Sequence, residues 1–210
     1  MAREKCYLCN RPASSCLCPE AAPLPLRTKI VLLMHEKEWR RQKCNTGRLA
    51  CLNLEGSEII PGLAFDGNAR VRELLADPDS LCMLLYPGAS AVNLSSEAFP
   101  AGLLAGRRLV VFIIDATWSC SRSVLRASPG LLALPRLMFS PKEKSRWIIK
   151  KQPADWCLST IESIHELLLA LEAAGLERYD DKERLLAVFA AMQDYQLKRV
   201  RETPNPRHLG

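Results

Sequence analysis

No stretch of this 210-residue sequence is apolar for long enough to cross a bilayer. Residues 1–5 are too polar to open a secretory signal, so a cytoplasmic protein with no membrane partner is expected. Without export, the nine cysteines do not read as a disulfide framework. There is no Gly-x-Gly-x-x-Gly and no P-loop, which leaves a Rossmann dinucleotide site or an NTPase without support. Internal repeats and low-complexity tracts are absent too. What remains is 48% hydrophobic and 25% charged, ordinary for one globular domain with a small appendage. Twenty-nine Lys and Arg against 23 Asp and Glu give a net charge of +6, compatible with a polyanionic partner.

Four of the cysteines cluster. Cys6-x-x-Cys9 and Cys16-x-Cys18 flank a turn at Arg11-Pro12. Thiolates this close can surround one ion, and the segment is too short to build a core without one. Soft ligands favour zinc, Zn2+, over harder metals. A redox Cys-x-x-Cys is the rival, but the surrounding βαβ pattern it needs is missing. With all four positions filled by protein the ion would be structural. The other five, Cys44, Cys51, Cys82, Cys120 and Cys157, sit among apolar neighbours and read as core packing. A Pro-rich linker follows at 20–27, so residues 1–26 read as a zinc knuckle with linker and 27–210 as one α/β domain.

Residues 29–34, 81–86, 109–114 and 134–139 are apolar runs that read as buried strands of a mostly parallel sheet, with 58–61 as an edge strand. Helices are expected at 39–54, broken at Asn45-Thr-Gly-Arg48 with a restart at Thr46, at 69–76, 119–127, from 158 and over 181–201. His35 is a strand-end residue, either structural or part of a site. The central strand runs into Asp115-Ala-Thr-Trp118, where Asp115 and Thr117 face a helix start. Open α/β sheets bind ligands at that edge, although both residues can equally serve as caps. Pro87-Gly88 ends another strand, and Gly88 permits close backbone approach to a ligand or makes a plain turn. Ser159 and Glu162 form a capping box. Residues 140–151 carry five basic side chains and Trp147, suited to phosphates and a stacked base or simply to water.

Several of these motifs coincide with one family. Asp115-Ala-Thr-Trp118 resembles the Asp-x-Thr-Trp signature of the DTW-domain family. So do the four-cysteine knuckle with Arg11-Pro12, His35 to Glu38 with Asn45-Thr-Gly-Arg48, and Leu85-Tyr-Pro-Gly88. Trp118-Ser119 with Arg122 and Leu158-Ser-Thr-Ile-Glu162 complete the set in the family's order. Departures are Glu36 where many members have Pro, Lys150 where Arg is common, and Ser163 where Ala is usual. The Lys weakens any expectation of bidentate recognition there.

The resemblance implies a SPOUT-like knotted α/β fold and a tRNA-uridine aminocarboxypropyltransferase. Such enzymes move the 3-amino-3-carboxypropyl group of S-adenosyl-L-methionine (SAM) to N3 of a tRNA uridine, often in the variable loop. On that basis Asp115, with Thr117 and Trp118, is the catalytic group, and Asp115 takes or orients the N3 proton. Trp118 can stack on a ring or be core. The donor site is expected from Leu85, Tyr86, Pro87 and Gly88, from Asp115 and Thr117, and from Leu158, Ser159, Thr160 and Glu162. The tRNA surface is expected from Arg122, Arg126, Lys142, Lys144, Arg146, Lys150 and Lys151, with the knuckle as a second contact. A monomer is expected. A SPOUT-type RNA methyltransferase and a non-catalytic zinc-containing RNA-binding module are the competing readings.

Overall fold

The computed structural model describes residues 4–41, 45–149, 154 and 156–202, and of Arg41 and Trp118 only the backbone. Six strands form one sheet: β1 (Lys29–His35), β2 (Glu58–Gly62), β3 (Ser80–Leu85), β4 (Ala91–Asn93), β5 (Arg108–Asp115) and β6 (Arg136–Met138). Their order is β2-β1-β5-β3-β6-β4, and every pairing is parallel. The helices are α1 (Glu36–Arg41), α2 (Thr46–Cys51), α3 (Ala69–Ala76), α4 (Trp118–Ala127), α5 (Pro129–Leu132), α6 (Thr160–Ala173) and α7 (Arg184–Glu202).

The long apolar strands follow from burial on both faces. Alternate residues of β1 and β5 feed two separate cores. Ile30, Leu32, Leu109, Val111 and Ile113 pack with Leu49 of α2, with Ile161, Ile164 and Leu168 of α6, and with Phe189 of α7. Val31, Leu33, Val110 and Phe112 pack on the other side with Val71 of α3, Val124 of α4 and Leu131 of α5. A strand with helices on both faces has no solvent side, so its sequence does not alternate.

The expected elements are present with shifted ends. The run at 134–139 contracts to the three residues of β6, because Pro135 cannot donate to the ladder and Ser140-Pro141 turns away. The break expected within 39–54 is present, and the second helix starts at Thr46 as expected. α1 begins directly after β1 at Glu36, and α2 begins after Asn45, whose side chain accepts from Arg48 N. The capping box on α6 is present with both of its bonds. Neither β4 nor α5 was expected, since three and four residues carry no readable period. The chain from 20 to 27 runs against the domain: Leu24 pairs with Leu54, and Leu17, Leu24 and Leu26 join the first core.

One close contact fixes α2 on the sheet. A Cβ at Gly47 would lie 2.2 Å from Asp115 Oδ2 and 2.8 Å from Leu32 Cδ1. Only glycine lets the first turn of α2 sit this near the end of β5. Gly47→Ala is therefore expected to destabilise the fold by about 1–3 kcal/mol, the usual cost of overpacking. Chemical denaturation reads the change; a wild-type midpoint would mean that α2 is free to shift.

Candidate active site

The parallel strands bring β3, β5 and β6 to one rim at their C-terminal ends, where a cavity of about 290 Å³ opens. Leu85, Tyr86 and Pro87 after β3 form one wall, and Ile113, Ile114 and Ala116 of β5 and its exit form the floor. Leu137, Met138, Phe139 and Pro141 come from β6 and its exit. The rest of the lining comes from Trp156, Leu158, Thr160 and Ser163, and from Ser121 of α4. The cavity is thus mostly apolar, with hydroxyls at its edge, as a site for a largely apolar ligand with a few fixed polar groups requires.

Asp115 lies beside this cavity rather than on its lining. It is only 5% exposed. Its Oδ1 accepts the Thr160 hydroxyl at 2.6 Å and its Oδ2 accepts the Asn45 amide at 3.1 Å. The carboxylate so joins the end of β5 to the starts of α6 and α2. Because Thr160 gives its hydrogen to Asp115, the hydroxyl oxygen at the cavity has only acceptor capacity left.

The other expected residues divide. Leu85, Tyr86, Pro87, Leu158 and Thr160 line the cavity. Thr117 is the N-cap of α4, accepting from Cys120 N at 3.4 Å, and Trp118 starts that helix. Gly88 supports a close approach by Arg136, whose Nη1 would be 2.6 Å from a Cβ there, while Arg136 Nη2 donates to Ser90. Ser159 and Glu162 cap α6. Glu162 does more: Oε1 accepts Arg146 N at 2.5 Å, and Oε2 accepts the Ser145 and Ser159 hydroxyls and Ser159 N. It thereby clamps the loop after β6 to α6.

His35 is buried at the end of β1, and its Nδ1 accepts Lys37 N at 3.1 Å, a local structural bond. Of the basic set, Arg122, Arg126, Lys142, Lys144 and Arg146 are exposed, with Arg146 paired to Glu143 at 3.0 Å. Lys150 and Lys151 lie outside the described residues. Sequence reasoning missed the contributions of Met138, Phe139, Trp156 and Ser163. The strand-end rule, applied to β6 as it was to β3 and β5, would have found the first two.

The N-terminal cysteines converge. The Sγ atoms of Cys6 and Cys18 are 3.7 Å apart, those of Cys9 and Cys16 3.8 Å, and all four lie within 4.8 Å of one another. A tetrahedron with metal–sulfur bonds of about 2.3 Å has edges of about 3.8 Å, so the set fits a four-coordinate thiophilic ion. Backbone N–H groups of Cys9 and Leu8 lower the Cys6 thiol to about 6, whereas burial raises Cys9 and Cys18. Four thiolates together therefore call for a cation to balance them. Between Cys6 and Cys9, Tyr7 is 92% exposed.

Fold and site together define a parallel α/β protein with a strand-end cavity and an appended four-thiol cluster. A model of the DTW domain matches residues 3–197, and the chain belongs to that family. It is 30% identical over 203 residues to a Drosophila melanogaster protein named tRNA-uridine aminocarboxypropyltransferase 2, covering 93% of this chain and 76% of the fly protein. A Mus musculus protein of the same name is 29% identical over 200 residues, 93% of this chain and 64% of its own length. An Arabidopsis thaliana protein named tRNA-uridine aminocarboxypropyltransferase A is 28% identical over 235 residues, 99% of this chain and 86% of the relative. No solved structure matches. No helix among the described residues is long and apolar enough to cross a membrane.

The thiol geometry carries its own test. Replacing both Cys6 and Cys9 by Ser is expected to abolish stoichiometric metal in the purified protein, measured by plasma emission. Metal retained at one ion per chain would refute the ligand set.

Proposed function

We propose that the protein transfers the 3-amino-3-carboxypropyl group of SAM to N3 of a tRNA uridine, in the variable loop, releasing methylthioadenosine. The observation that carries this reading is the extent of the likeness. The matched residues 3–197 include both the rim and the cysteines, and the relatives are named for one activity.

The reaction forms an N3–carbon bond and breaks a carbon–sulfonium bond. Methylthioadenosine departs as a neutral thioether and needs no acid, but the N3 proton of uridine has to leave. The Thr160–Asp115 pair suits that step. The N3 proton passes to the Thr160 oxygen as the Thr160 hydrogen passes to Asp115 Oδ1, 2.6 Å away. Asp115 thus acts through Thr160, and its bond to Asn45 holds it in place. Leu85, Tyr86, Pro87, Ile113 and Leu158 supply apolar walls for the adenosine part. Gly88, Ser159 and Glu162 shape that site from outside it, and Thr117 with Trp118 sets the start of α4. Which carbon meets N3 is a matter of positioning, and this frame of strand ends is rigid enough to provide it.

Arg122, Arg126, Lys142, Lys144 and Arg146, with Lys150 and Lys151, would meet tRNA phosphates, giving affinity without sequence choice. Cys6, Cys9, Cys16 and Cys18 would hold zinc as a structural ion with no open position. Residues 1–26 form this accessory and 27–210 the catalytic domain. A SPOUT-like knotted path is supported by residues 86–90, which carry the chain from β3 to β4 across β6. Parallel crossovers ordinarily take a dozen residues or more. Thiolate ligands and a tRNA substrate fit a reducing cytoplasmic setting.

Incubation with tRNA and SAM is expected to yield methylthioadenosine, identified by mass. S-adenosylhomocysteine would instead indicate a methyltransferase, and no turnover a binding module. In the same assay Thr160→Val should lower kcat by roughly 100-fold, in the range of general-base contributions, with SAM affinity retained. A wild-type rate would remove the relay. Asp115→Ala leaves Asn45 and Thr160 without their acceptor and should also cost about 1–3 kcal/mol of stability, read by denaturation.

A further inference from the structure

We infer that Trp156 is the platform on which the acceptor base stacks as it enters the rim, an inference that rests on the function proposed above. Trp156 lines the cavity and is nevertheless 72% exposed. The other aromatic side chains of that lining, Tyr86 and Phe139, are partly buried and packed against the two cores. Trp156 has no such packing partner among those clusters, so its ring is available to a ligand from outside.

The cavity sets what that ligand can be. At about 290 Å³ it has room for one nucleoside-sized group. A donor nucleoside inside leaves the second reactant, a pyrimidine on a polynucleotide, to be held at the mouth. A pyrimidine in a loop is recognised by splaying it out and stacking it on an aromatic plane. Trp156 is also four residues before Thr160, so one short stretch carries both the ring and the hydroxyl that would receive the N3 proton. Pro141 of the same lining leads directly into exposed Lys142, which brings positive charge to the cavity for flanking phosphates to meet.

The competing assignment is that the ring closes over the adenine of the donor. Calorimetric titration with SAM and with tRNA, separately, distinguishes the two. In Trp156→Ala, tRNA affinity is expected to fall roughly 5- to 100-fold, the range for loss of one base–aromatic stack, with SAM affinity within about twofold of wild type. Trp156→Phe should recover most of the loss, which a general disturbance of the rim would not allow. Weakened SAM binding in Trp156→Ala would assign the ring to the donor site and overturn the inference. Unchanged affinity for both ligands would overturn it as well. A wild-type protein that binds SAM but no tRNA would remove the proposed function together with this inference. Wild-type turnover to methylthioadenosine, with an unaltered tRNA KM in Trp156→Ala, would remove this inference alone.

Discussion

The rim of this protein is held by one buried carboxylate. Asp115 ends the strand that lies between β1 and β3, and it accepts hydrogen bonds from the N-cap of α2 and from the first residue of α6. A carboxylate at 5% exposure is tolerable only when its oxygens are occupied. Its occupants come from segments 70 positions before it and 45 after it. The bonds that satisfy the charge are therefore the same bonds that bring three elements together, and the absent side chain of Gly47 is what makes room for them.

Glu162 works on the other flank in a similar way. Its two oxygens accept four donors from Ser145, Arg146 and Ser159, so the basic loop after β6 is tied to the same helix start that carries Thr160. Gln193 of α7 reinforces the loop, accepting from Ile148 N at 2.6 Å and donating to the Arg146 carbonyl at 3.0 Å. The loop backbone is thus fixed while Lys142, Lys144 and Arg146 stay exposed. Charges borne on a fixed backbone lose less entropy when they meet a polyanion than charges on a free chain.

Local signals explain what could be read from the chain. The apolar runs specified β1, β3 and β5, Thr117 and Ser159 marked two helix starts, and Asn45 marked a third. Spacing alone grouped the four thiols. Relations between distant segments were not legible. Nothing around Asp115 shows that Asn45 and Thr160 will take up its oxygens, and a capping glutamate looks the same whether or not it also holds a loop. β4 is too short to have a pattern. Trp156 sits in a stretch without periodicity, where nothing distinguishes a ring lining a cavity from a surface ring. Fold class was therefore visible at the level of single elements, and the site only at the strand ends where topology alone decides its place.

One further residue connects the rim to the cysteine cluster. Arg48 of α2 is 7% exposed, its guanidinium lies 3.6 Å above the Trp39 ring, and Nη2 donates to the Trp39 carbonyl at 2.8 Å. Burial pulls its pKa down, while Asp115 first and Cys9 second pull it back up. A guanidinium stays charged in any case, so these neighbours offset part of the cost of burying it, the rim carboxylate first and a thiol of the knuckle second. Arg48 is thus a fixed positive charge within electrostatic reach of both the rim carboxylate and the cluster. The small N-terminal appendage is on that account electrically part of the rim, although it contributes no residue to the cavity lining.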